Sequence, residues 1–525
     1  MMLKEMNRKK RLGISLALAL GTVLPPLGGT VSAGATVEIT ANGVGPKMGG
    51  SSDDDGVTVE DNTLILKNGV TYSGGEIFGG YHSGIGNAKN NTLKIEDNST
   101  LNMRGYGGFV RGGLLGQRGD AIENHVIVEG GIIGAPFADI YGGVVKGKFG
   151  NAIKNDVEIQ KGTINGTVFG GALLHLNAEG TVKGNLVTLR GTQATTKVTK
   201  DVSGGFVATG TGRVEENHVV IEGGKVVLGV TGGRTDARGD VVGNTVTMSG
   251  DSEVAEIVGG SGKRTTGEVK GNKVFLKGGK VNGRLMGGLI ENTGSGNATQ
   301  NEVTVEGGEV ANAVYGAMAQ GGGNATGNTV TIKGGKLNDI YGGAADGAGG
   351  ATTGNTVNLG DGVNSMAAGY QIKKIYGGDN AVDVTGNTLN VKTNVTAENI
   401  ENFAKIKFCY KETAVDLGAT FLTLTDAAGT TIPSLAHIEA DGELEKVAFG
   451  KSLSLMKNAG GITITDAKDT KSDITGNIEK NIRHVGNTIY YDVYQFKNAD
   501  VTPATAITDG VSDRKSTRLN SSHGS

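Results

Sequence analysis

The sequence predicts an all-β chain: a right-handed parallel β-helix (β-solenoid) of about twelve coils, closed by a small, mostly β C-terminal capping domain. Three observations predict it. A motif, Asn-x-apolar-x-apolar-x-Gly-Gly, returns about every 27 to 33 residues. Within the motif, apolar and polar side chains alternate with period two. The chain also holds 93 glycines against 6 prolines in 525 residues, with no Gly-X-Y period of the collagen type.

Residues 1–33 read as a secretory signal peptide. A cationic start (Lys4, Arg8, Lys9, Lys10, Arg11) precedes an apolar run that ends at Pro25-Pro26, and Val31-Ser32-Ala33 offers the small residues that a signal peptidase reads. No later stretch holds the ~18 consecutive apolar residues of a membrane helix, so export of the mature chain is expected. Residues 34–56 are assigned to an N-terminal cap. Within them, Ser51-Ser52-Asp53-Asp54-Asp55-Gly56 reads as a solvated acidic turn in preference to a Ca²⁺ site.

Residues 57–393 carry the repeats. Clear copies are Gly327-Asn328-Thr329-Val330-Thr331-Ile332-Lys333-Gly334-Gly335, followed by Ile340-Tyr341-Gly342-Gly343, and Gly271-Asn272-Lys273-Val274-Phe275-Leu276-Lys277-Gly278-Gly279. The leading asparagines are Asn62, Asn91, Asn124, Asn155, Asn185, Asn217, Asn244, Asn272, Asn301, Asn328, Asn355 and Asn387. Asn328, Val330 and Ile332 share one side of a strand, and Thr329, Thr331 and Lys333 share the other. A second apolar piece, as in Leu337 to Tyr341, ends in Gly-Gly, where positive φ is expected to turn the chain. A third, weaker piece, as in Val269-Lys270, leads back to Asn. One coil cannot bury its own apolar side, so coils must stack, like residue upon like. From Asn91 to Asn387 the asparagines are then expected to form a structural ladder, each amide bonded to the next. Phe78, Tyr141, Phe169, Phe206, Tyr315, Tyr341 and Tyr376 are expected to stack as core or rim, not as a carbohydrate platform.

After Asn387 the period fails. Residues 394–512 are read as a C-terminal cap or junction with a short helix at 397–404 and strands at 405–410, 420–424, 451–456, 461–465 and 487–496. Residues 513–525 carry neither repeat nor alternation and read as a non-native tail.

These repeats resemble the Gly-rich passenger repeats of autotransporter adhesins over residues 57–392. The resemblance implies secretion through an outer-membrane β-barrel translocator, display on a Gram-negative-type cell surface or release from it, and contact with a protein or glycan on host or neighbouring cells. No alternating run of barrel strands with aromatic girdles follows the repeats, which departs from the family's pattern.

Composition narrows the chemistry. Net charge is −3, Trp is absent, and aromatics make up 5%, which leaves no basic footprint or stacking platform for nucleic acid. The single cysteine, Cys409, excludes an intramolecular disulfide and reads as a buried strand residue. Glu129, Glu222 and Glu306 exchange with Lys277 and Lys333 in one outward slot five residues after the Asn, and Glu158 lies outward two residues earlier in its coil, which marks a solvated face and not a catalytic carboxylate pair. The histidines, among them His82, His125, His175 and His218, show no metal-ligand spacing. No catalytic, metal or cofactor-binding residues are assigned, and no cofactor is expected.

Two triplets, Arg118-Gly119-Asp120 and Arg238-Gly239-Asp240, precede Asn124 and Asn244 in the same loop of the coil. They are candidate receptor-binding sites of the integrin type. The expected function is a non-catalytic surface adhesin or interaction rod. The alternatives are a carbohydrate-active β-helix lyase or hydrolase and a self-associating structural spacer.

Overall fold

A computed structural model describes residues 33–111, 118–134, 138–291, 293–346, 350–466, 468–497 and 502–503. The signal segment up to residue 32 and the tail 513–525 lie outside the described residues. The motif's alternation is fully realised: each Asn is followed by a four-residue strand, as in Thr92–Ile95, whose second and fourth residues are buried. These strands form a 15-stranded sheet, from Thr36–Ile39 through Thr63–Leu66 and onward to Lys405–Phe408 and Ile438–Ala440, each paired parallel with the next coil. A right-handed crossover is the rule for such parallel connections.

Two further faces close the coil. On the second face a short strand such as Thr100–Asn102 bends into a longer one, Gly105–Val110. In Gly224–Thr235 and Ser252–Gly262 the bend relaxes and the two pieces fuse. The third face is a 10-stranded sheet of two- and three-residue strands such as Ala121–Ile122. Matching residues stack in register: Leu64 on Leu93 on Val126 on Val157 inside the first sheet. All four are fully buried.

The first sheet's 15 strands are three more than the twelve asparagines and span about fourteen turns. At ~4.8 Å per step the rod is on the order of 65 to 70 Å long. The additional turns come from the ends. Residues 34–56, expected as a cap, form a coil in which Thr36–Ile39 pairs with Thr63–Leu66 and Lys47–Ser52 with Ile77–His82. Beyond residue 393, Lys405–Phe408 and Ile438–Ala440 join the first sheet without the Asn motif.

The helix expected at 397–404 is not formed. Val395–Ala397 and Asn399–Glu401 are strands, the latter paired with Lys374–Tyr376. Ala and Glu are good helix formers, but intrinsic propensity is worth only a fraction of a kcal/mol per residue, and the waiting strand edge of the preceding coil overrides it. A short helix lies instead at Gly442–Val447, capped by the Asp441 side chain, which accepts from the Leu444 N–H at 2.7 Å.

The cap proper begins where parallel pairing gives way to antiparallel. Val395–Ala397, Leu422–Leu424 and Ser452–Asn458 pair in parallel, and Thr488–Lys497, Ile478–Val485 and Thr470–Thr475 then continue the sheet antiparallel. Lys471 Nζ donates to the Ile438 carbonyl at 3.1 Å, covering part of the edge of the last first-face strand.

The glycines of the x-Gly-Gly strands correct another expectation. Gly79 and Gly80 do not turn the chain; they lie within the strand Ile77–His82 and are not among the positive-φ glycines. They are required for space. A Cβ on Gly79 would stand 2.6 Å from the Gly107 carbonyl oxygen, and one on Gly205 would stand 2.6 Å from Asn217 Nδ2. By contrast, the Gly-Gly that follows the first strand does turn, with Gly279 at φ 82° and Gly335 at φ 94°.

Candidate interaction surfaces

The asparagine column runs the length of the repeats between two interior apolar clusters. Every member from Asn62 to Asn387 is 0% exposed. Asn217 illustrates the bonding. Its backbone N–H and Nδ2 both donate to Asn244 Oδ1, at 3.0 and 2.9 Å, and Nδ2 also donates to the Val182 carbonyl at 3.0 Å. Its own Oδ1 accepts from the backbone N–H and Nδ2 of Asn185. The same pattern recurs from Asn91 and Asn124 onward to Asn301 and Asn328. Donors and acceptors are consumed within the column, which fits a structural ladder with nothing left to bind a ligand.

The residue before each asparagine occupies the left-handed region. It is glycine in some coils, such as Gly243 and Gly271, but Asp61, Asn90, Glu123, Lys154, Glu216 and Gln300 in others, with φ of 50–58°. A left-handed turn is therefore imposed on ordinary side chains at a cost of about 1–2 kcal/mol each.

Both Arg-Gly-Asp triplets occupy the corner between the second and third faces. Arg118 and Arg238 are exposed, while Gly119 and Gly239 are buried. The glycines belong to a column: a Cβ on Gly119 would overlap the Gly86 carbonyl, and one on Gly239 the Gly212 carbonyl. The aspartates belong to a second, interrupted column of Asx residues (Asn87, Asp120, Asn151, Asp240, Asn297 and Asn324), each four positions ahead of a ladder asparagine. Asp120 Oδ1 accepts from the Asn151 backbone N–H at 2.8 Å and from its Nδ2 at 3.0 Å, and Asn87 Oδ1 accepts from the Asp120 N–H. Asp240 Oδ1 accepts from the Glu268 N–H at 2.9 Å, and Arg213 Nε lies 3.5 Å from its Oδ2. Asn297 and Asn324 do the same in later coils. Coil stacking thus calls for the Gly-Asp pair of each triplet. The sequence signal was present, in Gly86-Asn87, Gly150-Asn151, Gly296-Asn297 and Gly323-Asn324.

On the first face, outward charges pair between coils. Lys67 meets Glu96 at 2.9 Å, Lys94 meets Glu129 at 2.9 Å, and Arg190 bridges Glu158 at 2.7 Å and Glu222 at 3.0 Å. Lys333 meets Glu306 at 3.2 Å. The exchange of sign seen along the sequence is an alternation that lets each coil hold its neighbour, at about 0–1 kcal/mol per exposed pair. His125 follows the same logic. Asp156 of the next coil hydrogen-bonds its Nδ1 and thereby raises its pKa.

The second face carries the aromatics, on the side of the sheet opposite the interior. Phe78, Tyr106, Tyr141 and Phe169 stack in register at 4.9–5.1 Å between centroids. In the next coil the position is Ser203, and Phe206 from the neighbouring column stacks on Phe169 at 5.2 Å instead. Tyr106, absent from the expected set, donates its hydroxyl to Glu76 at 2.9 Å. A second stack joins Tyr315, Tyr341 and Tyr376. Phe78, Tyr106 and Tyr141 are buried, whereas Tyr315, Tyr341 and Tyr376 are half-buried.

The remaining candidates are local. In the acidic turn, Ser52 Oγ accepts from the Asp54 N–H and Asp55 Oδ1 from the Ile85 N–H. Among the described residues, no group of three His, Cys, Asp or Glu side chains is placed to hold a metal. Cys409 follows the strand Lys405–Phe408, half-buried, and burial raises its thiol pKa. A cleft of about 200 Å³ between the last coil and the cap is lined by Glu439, Glu445, Lys471, Asp473, Lys480 and Tyr491. Lys480 there pairs with Glu445 at 2.9 Å. Comparison with known proteins finds no matching family model, no similar curated protein and no similar solved structure.

Proposed function

We propose that this chain is exported and displayed at, or released from, a bacterial cell surface as a non-catalytic interaction rod of the autotransporter-passenger type. Its partners are a protein or glycan on host or neighbouring cells and, for secretion, an outer-membrane β-barrel translocator. The observation that carries this reading is the coil-to-coil bonding of polar side chains along the rod, in the asparagine column, the Asx column and the first-face ion pairs. Such a molecule offers a long, regular, rigid surface suited to many modest contacts, and it holds itself together outside a cell with no disulfide.

The test is display of the chain from its own signal segment fused to an autotransporter barrel. Protease shaving of intact cells and adhesion to epithelial cells and extracellular-matrix coats are then measured. Protease-accessible rods that raise adhesion support the proposal. Retention inside the cell, or release of sugar from polysaccharide panels by the purified rod, overturns it. Self-association in sedimentation without any adhesion favours the spacer alternative.

A further inference from the structure

The tyrosine stack near the C-terminal end of the repeats differs from the buried one in two respects. Tyr315, Tyr341 and Tyr376 occupy successive coils in exact strand register, with centroids 4.9 and 4.6 Å apart and planes within 10° and 7°. All three are half-buried, so part of each residue reaches solvent. The backbone ladder is also interrupted here. Five residue pairs join Gly105–Val110 to Ile140–Val145, whereas Val314–Ala319 meets the next coil in two separate pieces, two pairs at Ile340–Tyr341 and two at Ala344–Ala345, and only two pairs join Ile340–Tyr341 to Lys374–Tyr376. With one cysteine in the chain, a disulfide cannot brace these coils.

We propose that Tyr315, Tyr341 and Tyr376 form an oxidative modification site, at which a peroxidase-type oxidant using hydrogen peroxide couples two tyrosines of adjacent coils into an intramolecular dityrosine. The oxidant removes one electron and one proton from each of two phenols, and the peroxide leaves as two waters. The two tyrosyl radicals join through the ring carbons ortho to oxygen. The hydrogens on those carbons then move to the phenolic oxygens, restoring both hydroxyls. Parallel strands place each ortho carbon over its counterpart at about the ~4.8 Å strand spacing. Bonding therefore requires the rings to tilt while the backbone ladder stays intact, and held proximity favours coupling within the chain over coupling between chains. Burial raises the pKa of each of the three phenols, to about 12 for Tyr376, so the group oxidised is the neutral phenol. The Tyr106–Tyr141 pair, stacked at 5.1 Å but 1% and 6% exposed, is a built-in control, shielded from an enzyme-sized oxidant.

The full chain at low concentration is treated with hydrogen peroxide and a peroxidase. Dityrosine fluorescence is followed, and cross-linked peptides are identified by mass spectrometry as a loss of two hydrogens. The expected product joins Tyr341 to Tyr315 or Tyr376 and migrates as a monomer on denaturing gels. Tyr341→Phe keeps the ring and the stack but lacks the phenol, and should reduce the intramolecular product to the untreated level. Circular dichroism of this variant checks that the fold is retained. Absence of dityrosine in the wild-type chain, an undiminished signal in Tyr341→Phe, coupling only between chains, or equal coupling at Tyr106–Tyr141 would each overturn the proposal.

Discussion

Replacing Asn217 by Ala tests the ladder where it is most regular. The change removes four hydrogen bonds: two accepted from Asn185, one donated to Asn244 Oδ1 and one donated to the Val182 carbonyl. Asn244 Oδ1 keeps the Asn217 backbone N–H, and Asn185 Nδ2 keeps the Ala152 carbonyl. The Asn185 N–H and the second Asn185 Nδ2 hydrogen are left unpaired in a region with no solvent access, while the Val182 carbonyl keeps its place in the parallel ladder with Val214. Two buried orphans at about 1–3 kcal/mol each give a loss of about 2–6 kcal/mol. Repeat proteins unfold in segments, so one global midpoint is a poor readout. Amide hydrogen exchange reads the effect locally: protection should collapse in the first-face strands Leu186–Leu189, His218–Ile221 and Thr245–Met248 while coils near Asn91 and Asn328 keep theirs. Asn217→Asp should be worse, because it aims a second carboxylate oxygen at Asn244 Oδ1 and the Val182 carbonyl. A loss under about 1 kcal/mol for Asn217→Ala, or protection lost evenly along the rod, would refute the claim that this column holds neighbouring coils together.

Three further outcomes are expected. Lys154→Gly at φ 52° relieves left-handed strain of about 1–2 kcal/mol against a glycine entropy cost of about 0.5–1 kcal/mol; amide protection in the adjoining strand Asp156–Ile159 should show no loss, and a marked fall there would contradict the strain assignment. His82 is buried, with Nδ1 accepting from the Gly84 N–H at 3.0 Å, and burial lowers its pKa. The unfolded chain binds that proton more readily, so the stability involved is complete above about pH 6.5 and is lost as pH falls through the folded value. Proteolysis near residues 53–57 should quicken on acidification, and a pH-independent rate would count against it. His125, raised by Asp156, works in the opposite sense: its contribution is full below about pH 6.5 and is lost as pH rises through the folded value. Replacing Asp120 and Asp240 together by Ala removes the acceptors for the Asn151 and Glu268 amides, and about 1–3 kcal/mol should be lost at each corner with adhesion of displayed rods to integrin-bearing cells unchanged once folded protein is equalised. A selective loss of that adhesion would identify the triplets as receptor sites.

Much of the rod could be read from local pattern because the pattern and the fold share one period. The Asn-x-Val-x-Ile alternation dictates which side of each strand is buried, and a one-residue slip would expose Val330 and Ile332. The aromatics at Phe78, Tyr141 and Tyr341 could be foreseen as stacks for the same reason. What failed locally did so where neighbouring coils decide. Ala397, placed in a short helix on local composition, ends a strand because the adjacent coil presents an edge. The strands Thr470–Thr475 and Ile478–Val485 escaped notice because their alternation is weak and antiparallel pairing with Thr488–Lys497 defines them.

By itself the sequence determined the repeat, its parallel stacking and the role of its asparagines, since a side chain returning once per coil must meet its own copy. Only the tertiary structure decided what the glycines and aspartates are for. Gly79 and Gly119 leave space for atoms about thirty residues away, and Asp120, a candidate receptor ligand by its triplet, carries the Asn151 amide on its carboxylate. Space and hydrogen-bond partners supplied from the next coil have no signature in a residue's own neighbourhood along the chain.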